Sequence, residues 1–289
     1  MSFTQDFKDY AKSVRADLLG IAPIDRFKGI AIENHPASIF PEVKSVIVLA
    51  KRIPRGSLRG IEEGTHFQSY QLYGKGWLEN RFLSITTIKL SEFLEDNHYE
   101  AVPLINLPPE IGPMGVPVRD GQAAPNVLLD FDDAAVRAGL GEIGYLQTVV
   151  TPEFGARQRF YIILTDAVLD PDPLMAEGIC DRSPEMAKYC PLGAIDAKNE
   201  ITAEIAGKKM KVASINFKIC NECKNGAFPN DRHPAGKPDR LGALCMRSYM
   251  VHLEKSGKLK TKFENPFRKR PIWEIKKDRE IIDEGADIE

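Results

Sequence analysis

The chain has 289 residues, 43% hydrophobic and 28% charged, enough for one large domain or two modest ones around a sizeable core. Its 39 Lys and Arg against 41 Asp and Glu give a formal charge of −2, which excludes a broadly basic nucleic-acid binder while leaving a local patch open. No apolar run approaches the roughly 18 residues of a membrane span, and the first residues lack the basic-then-apolar pattern of an export signal, so a soluble, cytoplasmic, globular protein is expected.

In chain order, Phe3, Phe7, Tyr10, Val14 and Leu18 recur at helical spacing, with Ser2 and Gln5 placed as a capping box. Ser45 to Ala50 is a wholly apolar, β-branched run and predicts a buried strand. Trp77 to Asp96 predicts one long helix, Ala101 to Ile105 a strand weakened by Pro103, and Asn126 to Ala138 a helix stopped by Gly139. Gln147 to Thr151 and Arg159 to Thr165 predict two strands joined by a turn at Pro152 to Gly155. This alternation over residues 1–170 predicts an α/β (α+β) layered domain. Residues 171–255 hold every cysteine and many turn residues with little periodicity, a texture that needs metal ligation or a similar staple. Residues 256–289 form a charged tail carrying Phe263, Phe267 and Trp273, expected to dock its aromatics on the body.

The five cysteines are Cys180, Cys190, Cys220, Cys223 and Cys245; clustered thiols in a chain with no export signal point to metal or redox chemistry. Cys190-Pro191 matches the end of the ferredoxin run C-x2-C-x2-C-x3-C-P, but the preceding slots hold Cys180, Ser183 and Met186. In two-cluster ferredoxins the Cys before Pro serves the other cluster, which here would pair Cys190 with Cys220, Cys223 and Cys245 in one four-thiolate site and leave Cys180 over. Three readings stay open for these residues: one [4Fe–4S] cluster, a structural Zn²⁺ on the same four thiolates, or inert buried thiols in a degenerate region. His35, His66, His98, His233 and His252 show no metal-binding pairing, although His252 lies near Cys245.

Gly139-Leu-Gly141-Glu142-Ile-Gly144 fits G-x-G-x-x-G, yet a helix precedes it and a strand follows, the reverse of a dinucleotide site. Either a helix C-cap and turn, or a loop lying bare against a different flat cofactor, accounts for it.

With these motifs the chain resembles the epoxyqueuosine reductase and reductive dehalogenase superfamily. The matching stretches are His35 to Leu49, Ala138 to Gly144, Thr151 to Gly155 with Arg157, and Cys190 to Ile195. The resemblance implies a nitroreductase-like sandwich carrying cobalamin, followed by a ferredoxin-like module. It implies that clusters pass electrons to cobalt and that a protein acid supplies a proton. Gly139, Gly141, Glu142, Gly144 and Tyr145 would then face the corrin. The proton donor of epoxyqueuosine reductases lies just before an Ala-Pro step; Gln122 holds that slot before Ala124-Pro125, and the nearest carboxylate is Asp120, the candidate here.

Ser183, Met186 and Ser248 depart from the family's cysteine positions, so at most one cluster is expected. The helical-repeat domain of the tRNA-acting reductases is missing from this sequence, so nucleic acid is disfavoured. The function expected is a cobalamin-dependent iron–sulfur oxidoreductase acting on a small molecule, with a protein electron donor as partner. The alternatives are a redox-inactive protein that binds a corrinoid or another ligand, and a zinc-stapled interaction protein.

Overall fold

A computed structural model describes residues 2–112, 114–276 and the backbone at Ile281–Ile282. Helix α1 (Phe3–Ser13) is capped by Ser2, whose Oγ accepts from the backbone N–H of Gln5 at 3.3 Å, while the Gln5 side chain turns outward to Asp9. Arg15 at φ 69° stops the helix before Leu18, which instead opens strand β1 (Leu18–Pro23). The apolar run after it forms β2 (Ser45–Arg52), and Val46, Ile47, Val48 and Leu49 are all fully buried. Burial on that scale is worth roughly 1.5–3 kcal/mol per large aliphatic side chain and fixes β2 inside the sheet.

Short helical turns α2 (Arg59–Glu62) and α3 (Gln68–Tyr70) lead into wide π-helical turns over Gln71–Gly76 and Leu78–Leu83, which continue as α4 (Ser84–Asp96). The expected single helix therefore begins earlier and is wound more loosely in its first half; Lys75 and Glu79, on the loose part, both border a cavity. Strand β3 (Ala101–Leu104) follows. Helix α5 (Phe131–Arg137) is shorter than predicted because Asp130 caps it, its carboxylate accepting from the N–H groups of Asp132 and Asp133. The small strands β4 (Glu142–Ile143) and β5 (Val149–Val150) form a hairpin, and β6 (Gln158–Thr165) completes the main sheet.

The sheet is wholly antiparallel in the order β1-β2-β6-β3, with Ser45 opposite Thr165 and Arg52 opposite Gln158 across its centre. Helices α4 and α5 pack on it and α1 packs on α4, so the architecture is the mixed layered α+β class expected. The following region is more regular than its sequence suggests. Strands β7 (Ile195–Ile205) and β8 (Lys208–Ile215) form a hairpin through Ala206-Gly207, at φ 49° and 80° as a type I′ turn requires. Helices α6 (Phe217–Asn221) and α7 (Leu244–Lys255) follow, then β9 (Glu274–Ile275), paired with β10 (Ile281–Ile282).

A second core joins this region to the first: Tyr145, Leu146, Val150 and Ala156 pack with Cys180, Met186, Cys245, Met246 and Tyr249. The tail docks back as well. Phe267 is buried, and the Trp273 indole donates to the Ile61 carbonyl at 2.8 Å. The rest of the tail, 277–280 and 283–289, lies outside the described residues.

Candidate cluster site and the polar cavity beside it

Cys190, the neighbouring pair Cys220 and Cys223, and Cys245 come from three places in the chain and line one small cavity. Cys190 follows a helical turn at Pro184–Tyr189, and its sulfur accepts from the N–H of Ala194 at 3.2 Å. Cys220 sits on α6, which Asn216 caps, and Cys223 lies just beyond it, its N–H bonded to the Cys220 carbonyl. Cys245 is in the first turn of α7. Pro191, Leu192, Ala194, Ala227, Ala243 and Leu244 supply apolar walls.

Among the described residues no three Cys, His, Asp or Glu side chains converge on a single-ion site. A single zinc needs its sulfurs about 2.3 Å from one ion, and no such grouping is present among these residues. A [4Fe–4S] cluster takes one thiolate at each of four irons, and four cysteines line this one cavity. Burial pushes the Cys220 thiol up to about 11 and the Cys245 thiol up to about 12, with the neighbouring cysteines adding to the effect and Arg240 opposing it.

Arg240 lines this cavity and also a larger polar one of about 250 Å³ on the side of the main sheet. The residue is 8% exposed; its Nη2 donates to the carbonyls of Leu146 at 2.9 Å and Gln147 at 3.4 Å, and its Nη1 has no partner. Leaving a buried donor unpaired costs on the order of 1–3 kcal/mol, more for a charged group, so the fold sustains this position at a cost.

The polar cavity is walled by Lys75 and Glu79, Asp130 and Asp132 at the start of α5, Arg159 on β6, and Lys237 to Leu241. Most of its charges are already matched. Arg159 bonds Asp239 at 2.8 Å and lies 3.4 Å from Glu79, Tyr70 donates to Asp239, and Lys237 reaches Glu110 at 2.7 Å. Asp132 differs: desolvation first, then the charge of Asp130, pushes it up to about 7 against the pull of Lys237, Arg159 and Arg240. A carboxyl tuned to that range can hold or release a proton near neutrality.

Where a second ferredoxin cluster would need ligands, side chains fill the space. Met186 is 3% exposed and packs in the core with Cys180, Tyr249 and Leu253. The Cys180 sulfur accepts from the Tyr249 hydroxyl at 2.9 Å and from the N–H groups of Tyr145 and Arg182 at 3.3 Å. Ser248 accepts from Arg268 at 3.0 Å, and Arg268 and Arg247 together clasp the buried Glu62. His252 bonds Asp181 at 2.6 Å.

The five loop residues expected against a corrin are placed differently. Gly139 ends α5 at φ 77°, with the Leu140 N–H bonded to the Ala135 carbonyl and its own to Val136, a Schellman cap. A Cβ on Gly139 would lie 2.1 Å from the Pro173 oxygen, on Gly141 2.3 Å from the Val150 oxygen, and on Gly144 2.5 Å from the Tyr249 hydroxyl. The bare backbone is therefore spent on close approach within the protein. Glu142 is 1% exposed and accepts from the N–H groups of Ile179 and Cys180, both at 2.8 Å, and from Arg182 at 2.8 Å; Tyr145 is fully buried. None of the five borders the polar cavity, whose volume also falls below the roughly 300–1,000 Å³ of ordinary cofactor pockets. These residues do not fit a corrinoid.

Asp120 is exposed and borders neither the cysteine cavity nor the polar one. The cavity's own carboxyl, Asp132, went unsingled in the sequence; its only signal there was the acid cluster Asp130-Phe-Asp-Asp133 opening a helix. Arg240 gave no signal.

No family model matches the sequence, and no curated protein matches it either. In three dimensions the chain is similar to a catabolic reductive dehalogenase, with 98% of this chain and 41% of that one aligned at TM-score 0.54 and 12% identity. A second reductive dehalogenase structure, described as suggesting a mechanism for B12-dependent dehalogenation, aligns over 89% of this chain and 37% of its own at TM-score 0.54 and 13% identity. An epoxyqueuosine reductase solved with a modified tRNA stem loop aligns over 66% of this chain and 52% of its own at TM-score 0.46 and 20% identity. The fold expected from the sequence motifs is the fold found. The chain spans about half the length of that epoxyqueuosine reductase and about two fifths of the dehalogenases. No helix among the described residues is long and apolar enough to cross a membrane.

Proposed function

We propose that this protein is an iron–sulfur oxidoreductase with a single [4Fe–4S] cluster held by Cys190, Cys220, Cys223 and Cys245, serving a small polar substrate in the adjoining cavity. The observation that carries the reading is the meeting of those four cysteines around one apolar cavity that shares Arg240 with a charged one. The cluster, when bound, supplies single electrons at low potential. The protein's residues do the rest. Apolar walls keep water from the sulfurs, and the Ala194 N–H supports the Cys190 sulfur. Lys75, Arg159 and Lys237, already paired with Asp231, Asp239 and Glu110, form the polar lining that a substrate meets, and Asp132, in place of Asp120, holds the proton that a reduction consumes.

A protein electron donor reaching the cysteine side and a small molecule entering the polar side are the partners this reading implies. Cobalamin has no place in it, because the loop expected to hold a corrin is packed against Pro173, Val150 and Tyr249. A second reading, a redox-inactive ligand-binding protein, is favoured by the same loop and by the packed remains around Cys180 and Met186. Anaerobic reconstitution with iron and sulfide separates the two. About four irons and four sulfides per chain, lost when Cys220 or Cys245 becomes Ser, support the oxidoreductase; iron-free protein that still binds a ligand in the polar cavity supports the alternative.

A further inference from the structure

Arg240 is the one cation bordering both cavities among the described residues. Its place is fixed from three sides. Two backbone carbonyls, of Leu146 and Gln147, hold Nη2; the Phe217 ring lies 5.2 Å from the guanidinium carbon; and the Arg240 carbonyl anchors the Ala243 N–H, one residue before α7 and two before Cys245. Of the carboxylates that share the polar cavity, Asp239 is engaged with Arg159 and Tyr70, and Glu110 with Lys237, while Asp130 and Asp132 line the cavity without bonding Arg240. Among the described residues Arg240 thus makes no ion pair with a carboxylate, its Nη1 is unpaired, and it lines the same cavity as Cys190, Cys220, Cys223 and Cys245. A buried guanidinium held by carbonyls, with a spare donor and thiols beside it, is arranged to offset negative charge that arrives later.

We infer that Arg240 sets the redox poise of the cysteine site: its fixed charge stabilises the extra electron there and so raises the reduction potential, which makes it a positioning residue between the electron site and the substrate cavity. The inference rests on the one-cluster reading. The step is a one-electron reduction of the oxidised cluster by a low-potential one-electron donor. No bond to Arg240 forms or breaks, and the guanidinium keeps its protons throughout. Reduction adds one negative charge close to a cation that water screens poorly, and burial enlarges that interaction.

The test is an EPR-monitored redox titration of reconstituted full-length protein with dithionite and mediators, comparing wild type, Arg240→Lys and Arg240→Gln. The expected result is a midpoint potential that falls in the Gln variant and stays near wild type in the Lys variant, with iron content equal in all three. Equal potentials across the three overturn the inference while leaving the one-cluster reading intact. Wild-type protein that takes up no cluster overturns both. Should the Gln variant fail to fold, wild type grown with ¹⁵N-arginine still decides the matter: pulsed EPR of the reduced protein shows a guanidinium nitrogen coupled to the cluster, and absence of that coupling contradicts the inference.

Discussion

The Tyr249 hydroxyl donates to the Cys180 sulfur at 2.9 Å, and Tyr249 is itself fully buried. Its oxygen also accepts from the Tyr145 N–H at 3.1 Å and occupies the space a side chain on Gly144 would need. The fifth cysteine therefore belongs to a packed hydrogen-bonded junction between the glycine loop and α7, separate from the cavity of the other four.

Cys180→Ala should leave the iron and sulfide content of reconstituted protein at wild-type level. It removes an acceptor from two buried donors, so stability falls by about 1–3 kcal/mol. Iron analysis together with urea unfolding checks both halves; loss of iron in this variant would place Cys180 among the ligands.

Glu142 binds the segment that carries Cys180 to the β4–β5 hairpin through three bonds to one buried carboxylate. Glu142→Ala takes the carboxylate from Arg182 Nη2, from Lys208 and from two backbone donors, and removal of one member of a buried ion pair costs on the order of 3–5 kcal/mol. Denaturant unfolding of the unreconstituted protein should show a loss of that size.

Gly139→Ala meets a left-handed backbone and a carbonyl oxygen 2.1 Å away. Positive φ costs about 1–2 kcal/mol and overpacking about 1–3 kcal/mol more. The variant should lose stability in protein free of any cofactor. A variant as stable as wild type but impaired only in ligand binding would return the loop to a cofactor-facing role.

Asp132 carries a pH signature. Its folded pKa, about 7, lies above its ordinary value of 3.8, so the protonated form favours the fold. Its contribution is complete below the ordinary value and is lost as pH rises through about 7. Asp132→Asn should therefore melt higher than wild type at pH 8, by a few degrees, and the difference should shrink to nothing near pH 4. Thermal melts across that range check the sign.

The sheet was legible because β2 and β6 are buried on both faces and read as unbroken apolar runs. The β7–β8 hairpin was not. Much of β7 is polar and exposed, and on β8 Met210 and Val212 turn into one core while Ala213 turns into the other, so its order comes from pairing and from the Ala206-Gly207 turn. Strand β1 was hidden by a helical spacing that ran one turn too far, to Leu18, past the left-handed Arg15. For the site, cysteine spacing grouped Cys190, Cys220, Cys223 and Cys245, and the same four line one cavity. The glycine pattern misled, because bare backbone serves a helix cap and close packing as well as it serves a cofactor. Arg240 and Asp132 act through burial and neighbours distant in sequence, which local patterns do not carry.

The central claim is that four cysteines from three segments of the chain grip one cluster. Iron and acid-labile sulfide measured on anaerobically reconstituted wild type, beside the Cys190, Cys220, Cys223 and Cys245 serine variants, test it most directly. The account predicts about four of each per wild-type chain and a marked loss in every variant; wild type without iron, or with a single zinc per chain, would contradict it.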